Sequence, residues 1–329
     1  MVGLAAGIID ATVRAATPLI LASLGEIISE RGGVLNLGVE GMMLVGALCG
    51  FATTFTTGSP WIGFAVGTLA GAAMATIHAV LCISLKADQV ISGVMLTLLG
   101  TGLTTYFGQE WVSKSIDGFE TVAVPVVGDA LVGLPLVGPA LFENTPTDYL
   151  ALALVPAVGY LLFRTSLGLE ITAVGENPEA ADTMGVPVFA VRYLCVILGG
   201  AFAGAAGAHL SLAFSKLWVT GMTAGRGWIA IALVIFAQWR PWRALVGAYL
   251  FGGIEAFVLR SQALDPTVTG IPLAETIDGV VSLLLRPQVM SMYPYLATVV
   301  VLVLATRRVL DEQVGAPSAL LDNYSRETE

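Results

Sequence analysis

Apolar runs of about the length needed to cross a bilayer recur along almost the whole chain, and no other feature limits its fold as strongly. A hydrocarbon core about 30 Å thick takes roughly 20 apolar residues as a helix. Only 12% of the 329 residues are charged and 56% are hydrophobic, with a mean hydropathy of +0.84. A soluble domain carries about one quarter charged residues. The expected fold is therefore all-α, a polytopic transmembrane helical bundle. About nine spanning helices are expected, with eight and ten as bounds, at roughly 4–28, 34–56, 61–85, 89–112, 148–163, 192–213, 219–238, 242–260 and 289–306. Breaks fall at Arg31-Gly32-Gly33, Gly58-Ser59-Pro60, Lys86-Ala87-Asp88, Arg164 to Arg192, Arg240-Pro241 and Asp265-Pro266. The first run does not read as a cleaved signal, because Asp10 and Arg14 interrupt it and no basic region precedes it.

Lys and Arg placement sets the expected direction of insertion. With the loop 164–192 in the cytoplasm, the inside holds Arg31, Lys86, Arg164, Arg192, Arg240, Arg243, Arg307, Arg308 and Arg326. The outside holds Lys114, Lys216, Arg260 and Arg286. The N-terminus is then outside and the C-terminus cytoplasmic. The transmembrane domain is expected to cover 1–308, and 309–329 is expected as a disordered acidic cytosolic tail. The Gly- and Pro-rich segment 113–147 is expected as an irregular external loop packed over the bundle. The stretch 273–285 carries Glu275 and Asp278, is short for a span, and is expected to lie at the outer interface.

Polar residues inside such a chain are the candidates for function. Asn36 and Glu40 stand four apart in "RGGVLNLGVEGMML", on one face if that stretch is helical. A carboxylate at membrane depth must face protein or water. Gly32, Gly33, Gly38 and Gly41 allow a broken helix there. Glu40 is then either a structural carboxylate between helices or a group beside the translocation pathway, with Asn36, Gly38 and Gly41. Arg226, between two glycines, either snorkels to the outer interface or lines an outward vestibule. Gly200-xxx-Gly204 in "GGAFAGAAGAHL" reads as a tight helix seam, and His209 at its end as either structural or close to the pathway. Asp10 and Arg14 neutralise one another at helical spacing.

The longest polar connection, "RTSLGLEITAVGENPEAADTMGVPV", contains a well-capped short helix. Asn177 suits the N-cap, Pro178 the first helical position, Glu179 the positive helix end, and Gly185 the stop. Ala180, Ala181 and Met184 are expected to form a small apolar face. So defined a helix under a membrane suits a docking partner better than an ordinary loop.

Several chemistries have no residues behind them. GxxxxGK[ST], HExxH and GxSxG are absent, and His78 and His209 lack ligand spacing. Cys49, Cys82 and Cys195 lie in apolar runs without CxxC spacing and read as packing residues. No catalytic or metal-binding residue is assigned. The net charge of −9 argues against nucleic acid as a partner.

Three stretches, "ERGGVLNLGVEGMMLVGA", "RTSLGLEITAVGENPEAADTMGVPV" and "GRGWIAIALVIFAQW", together resemble the inner-membrane permease subunits of ATP-binding-cassette importers. The group is the one serving ribose and branched-chain amino acids, with nucleoside importer permeases as the closer likeness. The resemblance covers about Ala16 to Leu304. It implies a second, related permease subunit and two cytosolic ATPase subunits, which use ATP and magnesium while this chain binds no cofactor. It also implies an external lipoprotein or periplasmic binding protein that delivers substrate. The coupling helix maps to Glu176, Asn177, Pro178, Glu179, Ala180, Ala181, Asp182 and Gly185, and the broken-helix motif to Asn36, Gly38, Glu40 and Gly41. Gln238-Trp239-Arg240 departs from the more usual Gly-containing turn, which leaves the helix end there open. Nucleosides are the first expected substrate, with a simple sugar or a branched-chain amino acid as alternatives. An ion-coupled secondary transporter and a membrane scaffold are the rival classes.

Overall fold

The computed structural model describes residues 2–123, 142–261 and 316–325, with isolated positions between 289 and 303. Ten helices carry the described fold. They are α1 (Val2–Arg31), α2 (Val39–Thr57), α3 (Pro60–Ala79), α4 (Gln89–Phe107) and α5 (Pro146–Arg164), then α6 (Ser166–Glu176), α7 (Pro178–Thr183), α8 (Val188–His209), α9 (Arg226–Ala237) and α10 (Pro241–Ser261). Wider π turns extend α3 to Ser84 and α8 to Phe214. The only described strands, β1 (Val122–Ala123) and β2 (Glu143–Asn144), form one short antiparallel pair. The fold is all-helical, as expected.

Six helices are long and apolar enough to cross a membrane: Gly7–Arg31, Val39–Thr57, Pro60–Ser84, Gln89–Phe107, Pro146–Arg164 and Val188–Phe214. The expected count of about nine is not confirmed. The run 219–238 is the clearest departure. Only Arg226–Ala237 is helical there, and 12 residues rise about 18 Å, too little for a bilayer core. Gly221, Ala224 and Gly225 all take positive φ, which ends any helix before Arg226. The second expected span starts at Val39, not at 34, because Gly33 turns with φ +84°. α10 matches the expected 242–260 helix in extent. The expected span 289–306 is described only at isolated positions, and 273–285 lies outside the described residues.

α8 is the centre of the bundle, packed on α1, α2 and α3. Its small residues explain why. A methyl group added at Gly204 would overlap the carbonyl of Gly67 and the backbone of Gly71, and one added at Gly46 would overlap the carbonyl of Gly204. The backbones of α2, α3 and α8 thus touch with no side chains between them, as small-residue seams allow. The seam read from Gly200-xxx-Gly204 is this three-helix contact. α4 stands at the rim and exposes Ile91, Met95, Leu98 and Leu103.

Two ends of the bundle differ in composition. One end gathers Arg31, Lys86, Arg164, Arg192, Arg240 and Arg243 at helix termini and short connections. The other holds Lys114 and Lys216, where residues 112–119 run along 212–218. Ile116 N–H donates to Lys216 O at 3.0 Å, and Phe119 N–H to Leu212 O at 2.9 Å. The described part of 113–147 is therefore packed on the bundle; 124–141 lies outside the described residues. Residues 316–325 depart from the expected disordered tail. They lie on the Arg-rich end, with Ala319 and Tyr324 buried.

Candidate functional site

The break between α1 and α2 puts irregular backbone inside an apolar bundle. Such backbone is tolerated only where protein satisfies it. Here three side chains from α3 and α4 do so. Gln89 Oε1 accepts from Leu35 N–H at 2.8 Å, Thr97 Oγ1 donates to Leu37 O at 3.0 Å, and His78 Nε2 lies 3.0 Å from Leu35 O. Asn36 is not on a helix with Glu40. It sits in the break, fully buried, and its Oδ1 accepts from Gly38 N–H at 3.0 Å. Gly38 and Gly41 face α4, where a methyl group at Gly41 would stand 2.5 Å from Leu96 O.

Glu40 lies in the first turn of α2 and is 8% exposed. Its carboxylate faces the start of α9. Oε1 accepts from Thr223 Oγ1–H at 2.6 Å and from Gly225 N–H at 2.8 Å. Oε2 accepts from Gly227 N–H at 2.7 Å. A carboxylate on the free amides of a helix start satisfies donors that the helix cannot, and it complements the positive helix end. The structure therefore answers why a carboxylate stands in this apolar stretch: it caps a helix from another part of the chain.

Arg226, at that same helix start, pairs with Glu255 of α10 and donates to Met222 O and Thr223 O at 3.1 Å each. Its guanidinium lies 5.6 Å from the centre of the Phe214 ring. The loop 222–227 thus joins α2, α9 and α10 through one carboxylate and one guanidinium. Asn36, Gly38 and Gly41 belong to the neighbouring α1–α2–α4 contact. All five residues placed beside a pathway from sequence occupy interhelical contacts within this chain.

The far end of α9 holds the departure noted from sequence. Gln238 and Trp239 both take left-handed backbone, φ +53° and +54°. Each such residue costs about 1–2 kcal/mol, so surrounding contacts must hold it. Trp239 Nε1–H donates to Glu30 Oε2 at 2.6 Å, and Arg31 Nε–H donates to Trp239 O at 3.1 Å. Glu26 and Glu30, both fully buried, were missed as candidates. Their signal was the one used for Glu40, a carboxylate inside an apolar run. Removing the indole with Trp239→Ala leaves Glu30 short of its donor and takes from the strained turn one of the two contacts that hold it. A loss of roughly 2–4 kcal/mol is expected, read as a lower thermal midpoint of the purified chain.

His209 is structural in its contacts. It is buried, its Nδ1 lies 2.9 Å from Thr147 Oγ1, and its Nε2 lies 3.8 Å from Asp148 Oδ1. Asp148 also accepts from Thr17 Oγ1–H at 2.6 Å and from Thr145 N–H at 2.9 Å, closing a capping box on α5. The Asp10–Arg14 pair forms at 3.2 Å. Among the described residues no three His, Cys, Asp or Glu side chains converge as metal ligands.

At the Arg-rich end α7 is the short capped helix that the sequence suggests. Asn177 Oδ1 accepts from Ala180 N–H at 2.9 Å, and Gly185, at φ +87°, closes the helix through Gly185 N–H to Asp182 O at 2.9 Å. Pro178 and Ala181 turn inward. Glu179, Ala180 and Met184 turn outward, with Met184 83% exposed. The expected single apolar face is thus split, since Ala181 packs inward while Ala180 and Met184 point away. Just before α7, Gly175 fits so closely against Arg31 O that a methyl group there would overlap it. The end of α6, immediately before α7, therefore packs on the end of α1.

Residues 8–306 match the family described as "Branched-chain amino acid transport system / permease component". The chain is 64% identical over 327 residues, 98% of each chain, to the "Putative glucose ABC transporter permease protein TsgC13" of Haloferax volcanii. It is 34% identical over 306 residues, 90% of each, to the guanosine ABC transporter permease protein NupQ of Bacillus subtilis. That organism also has a second match, the guanosine ABC transporter permease protein NupP, at 26% over 285 residues. Identity to the nucleoside ABC transporter permease protein NupC of Lactococcus lactis is 33% over 305 residues, 88% of each. No solved structure matches. An all-helical bundle with six membrane-length helices, matched over nearly its whole length, belongs to the branched-chain amino acid transport permease family, the membrane-embedded subunits of ATP-binding-cassette transporters.

Proposed function

We propose that this chain forms half of the pathway of an ATP-driven importer for a small, hydroxyl-rich solute, coupled to cytosolic ATPase subunits through α7. The observation that carries the coupling is α7 itself: a capped helix of six residues that presents Glu179, Ala180 and an 83%-exposed Met184 on its outer side. It stands at the end of the bundle that gathers six Lys and Arg at helix termini, the side that basic residues mark as cytoplasmic. The N-terminus is then outside. ATP-driven closure of the ATPase pair moves α7, and Gly175 against Arg31 passes that motion to α1. A second permease completes the pathway, since B. subtilis has two matching guanosine permeases. The chain itself holds neither ATP nor magnesium, and an external binding protein supplies substrate and most of the affinity.

The substrate reading changes from the sequence expectation. A glucose permease name on a relative 64% identical over 98% of its length favours a monosaccharide. Nucleosides are the second reading, favoured by two relatives at 33–34%. Uptake of labelled glucose and guanosine by cells with and without the gene decides between them. Loss of guanosine uptake alone would overturn the first.

Reversing charge on α7, Glu179→Lys with Asp182→Lys, is expected to leave the chain inserted and to abolish substrate-stimulated ATPase activity in the assembled complex. Normal stimulation would remove α7 as the docking point. Direction of insertion is read separately in a cysteine-free background. A cysteine at Thr57 should react with an impermeant thiol reagent added outside, and one at Thr183 should not; the reverse pattern would invert the topology.

A further inference from the structure

Resting on the coupling reading of α7, we infer that the ATPase-docking surface is composite: residues 317–324 strap α7 to the bundle and form part of the face the ATPase meets. The strap ties together segments that sequence places far apart. Before α7, Ser318 Oγ–H donates to Glu176 Oε2 at 2.8 Å, and Ala319 N–H donates to Gly175 O at 2.9 Å. After α7, Arg192 Nη1–H donates to Asp322 O at 3.0 Å, and the Tyr324 ring packs on Phe189, with centroids 5.4 Å apart. Asn323 Nδ2–H donates to Lys86 O at 2.9 Å, on the connection between α3 and α4.

These contacts share one consequence. α7 has only Pro178 and Ala181 buried, too little apolar surface to fix six residues. With the strap, the segments on both sides of α7 are tied to one piece of chain, and that piece is tied to a third connection. Leu321 holds left-handed backbone at φ +75°, which a flexible tail would release and a seated one retains. Between strap and α7 a polar cavity of about 150 Å³ opens, bounded by Glu179 and Asp322. The ATPase is its occupant, because a subunit that docks on Glu179 and Met184 also covers the adjoining strap.

The test removes residues 316–329 by a stop after Gly315. In the purified chain, amides of 179–186 are expected to exchange roughly tenfold faster with solvent. In the assembled complex, substrate-stimulated ATPase activity is expected to fall at least about fivefold. Unchanged exchange would overturn the strap. Faster exchange with full stimulation would overturn its part in docking. Should the shortened chain fail to accumulate, Ser318→Ala with Tyr324→Ala is measured the same way, and wild-type exchange and stimulation there count against the proposal. The exchange measurement involves no ATPase. Failure of the α7 reading shows instead as normal stimulation in Glu179→Lys with Asp182→Lys.

Discussion

Glu40→Leu is expected to lower the stability of the folded chain by roughly 3–5 kcal/mol, seen as a large drop in thermal midpoint and in recovered complex. The leucine leaves the N–H groups of Gly225 and Gly227 and the Thr223 hydroxyl without the acceptors they have now. Each buried donor left unmade costs about 1–3 kcal/mol. Glu40→Gln separates a cap from a pathway wall. Glutamine keeps one oxygen for Thr223 and Gly225 but turns an NH₂ group toward the Gly227 N–H, donor against donor. It should therefore lose roughly half as much stability as leucine. A group that only touched passing substrate would give the opposite pattern: normal stability in both variants, with transport alone reduced. Normal midpoints in Glu40→Leu would refute the cap. Thr223→Val, which removes one donor and leaves no unmatched group on the loop, should cost about 1 kcal/mol.

The second large effect is expected at Gly204. Even alanine there brings a carbon onto the Gly67 carbonyl, which belongs to a helix backbone and cannot turn aside. Overpacking against flexible groups costs about 1–3 kcal/mol. Against backbone on two helices Gly204→Ala should exceed that range, and Gly204→Leu should abolish accumulation of the chain. Gly102 of α4 is the matched control, since a methyl group there meets nothing within 4 Å. Gly102→Ala should leave stability within about 0.5 kcal/mol or raise it, through the better helix propensity of alanine. Comparable midpoints for the two alanine variants would show that the seam does not set the stability of the bundle.

What the sequence disclosed follows the range of the forces involved. The break at Gly32-Gly33, the cap at Asn177 and the stop at Gly185 are local signals, and all three hold. Six of the expected spans hold because an apolar run of sufficient length has few other outcomes in a membrane. The half-length α9 was hidden. Hydropathy joins 219–238 into one run, and only backbone torsions at Gly221, Ala224 and Gly225 break it. Glu40 was visible as an anomaly, but its partners lie more than 180 residues away. No spacing rule reaches that far. The packed tail was hidden for another reason. Polar composition reads as disorder, whereas half of its anchoring is by backbone groups, which every sequence carries.

The seam of α2, α3 and α8 also bears on how such a machine divides its labour. Helices that meet through long side chains can exchange one set of rotamers for another and settle at a new angle. Helices that meet backbone to backbone have no such freedom: a small slip drives a carbonyl into a neighbouring α-carbon, and the next matching register lies about one turn away, near 5.4 Å. These three helices therefore behave as a chassis. If α7 is the coupling helix, as proposed, strain delivered at the Arg-rich end is not absorbed within them. On that reading it appears at the polar contacts between helices, the Glu40 cap and the Arg226–Glu255 pair.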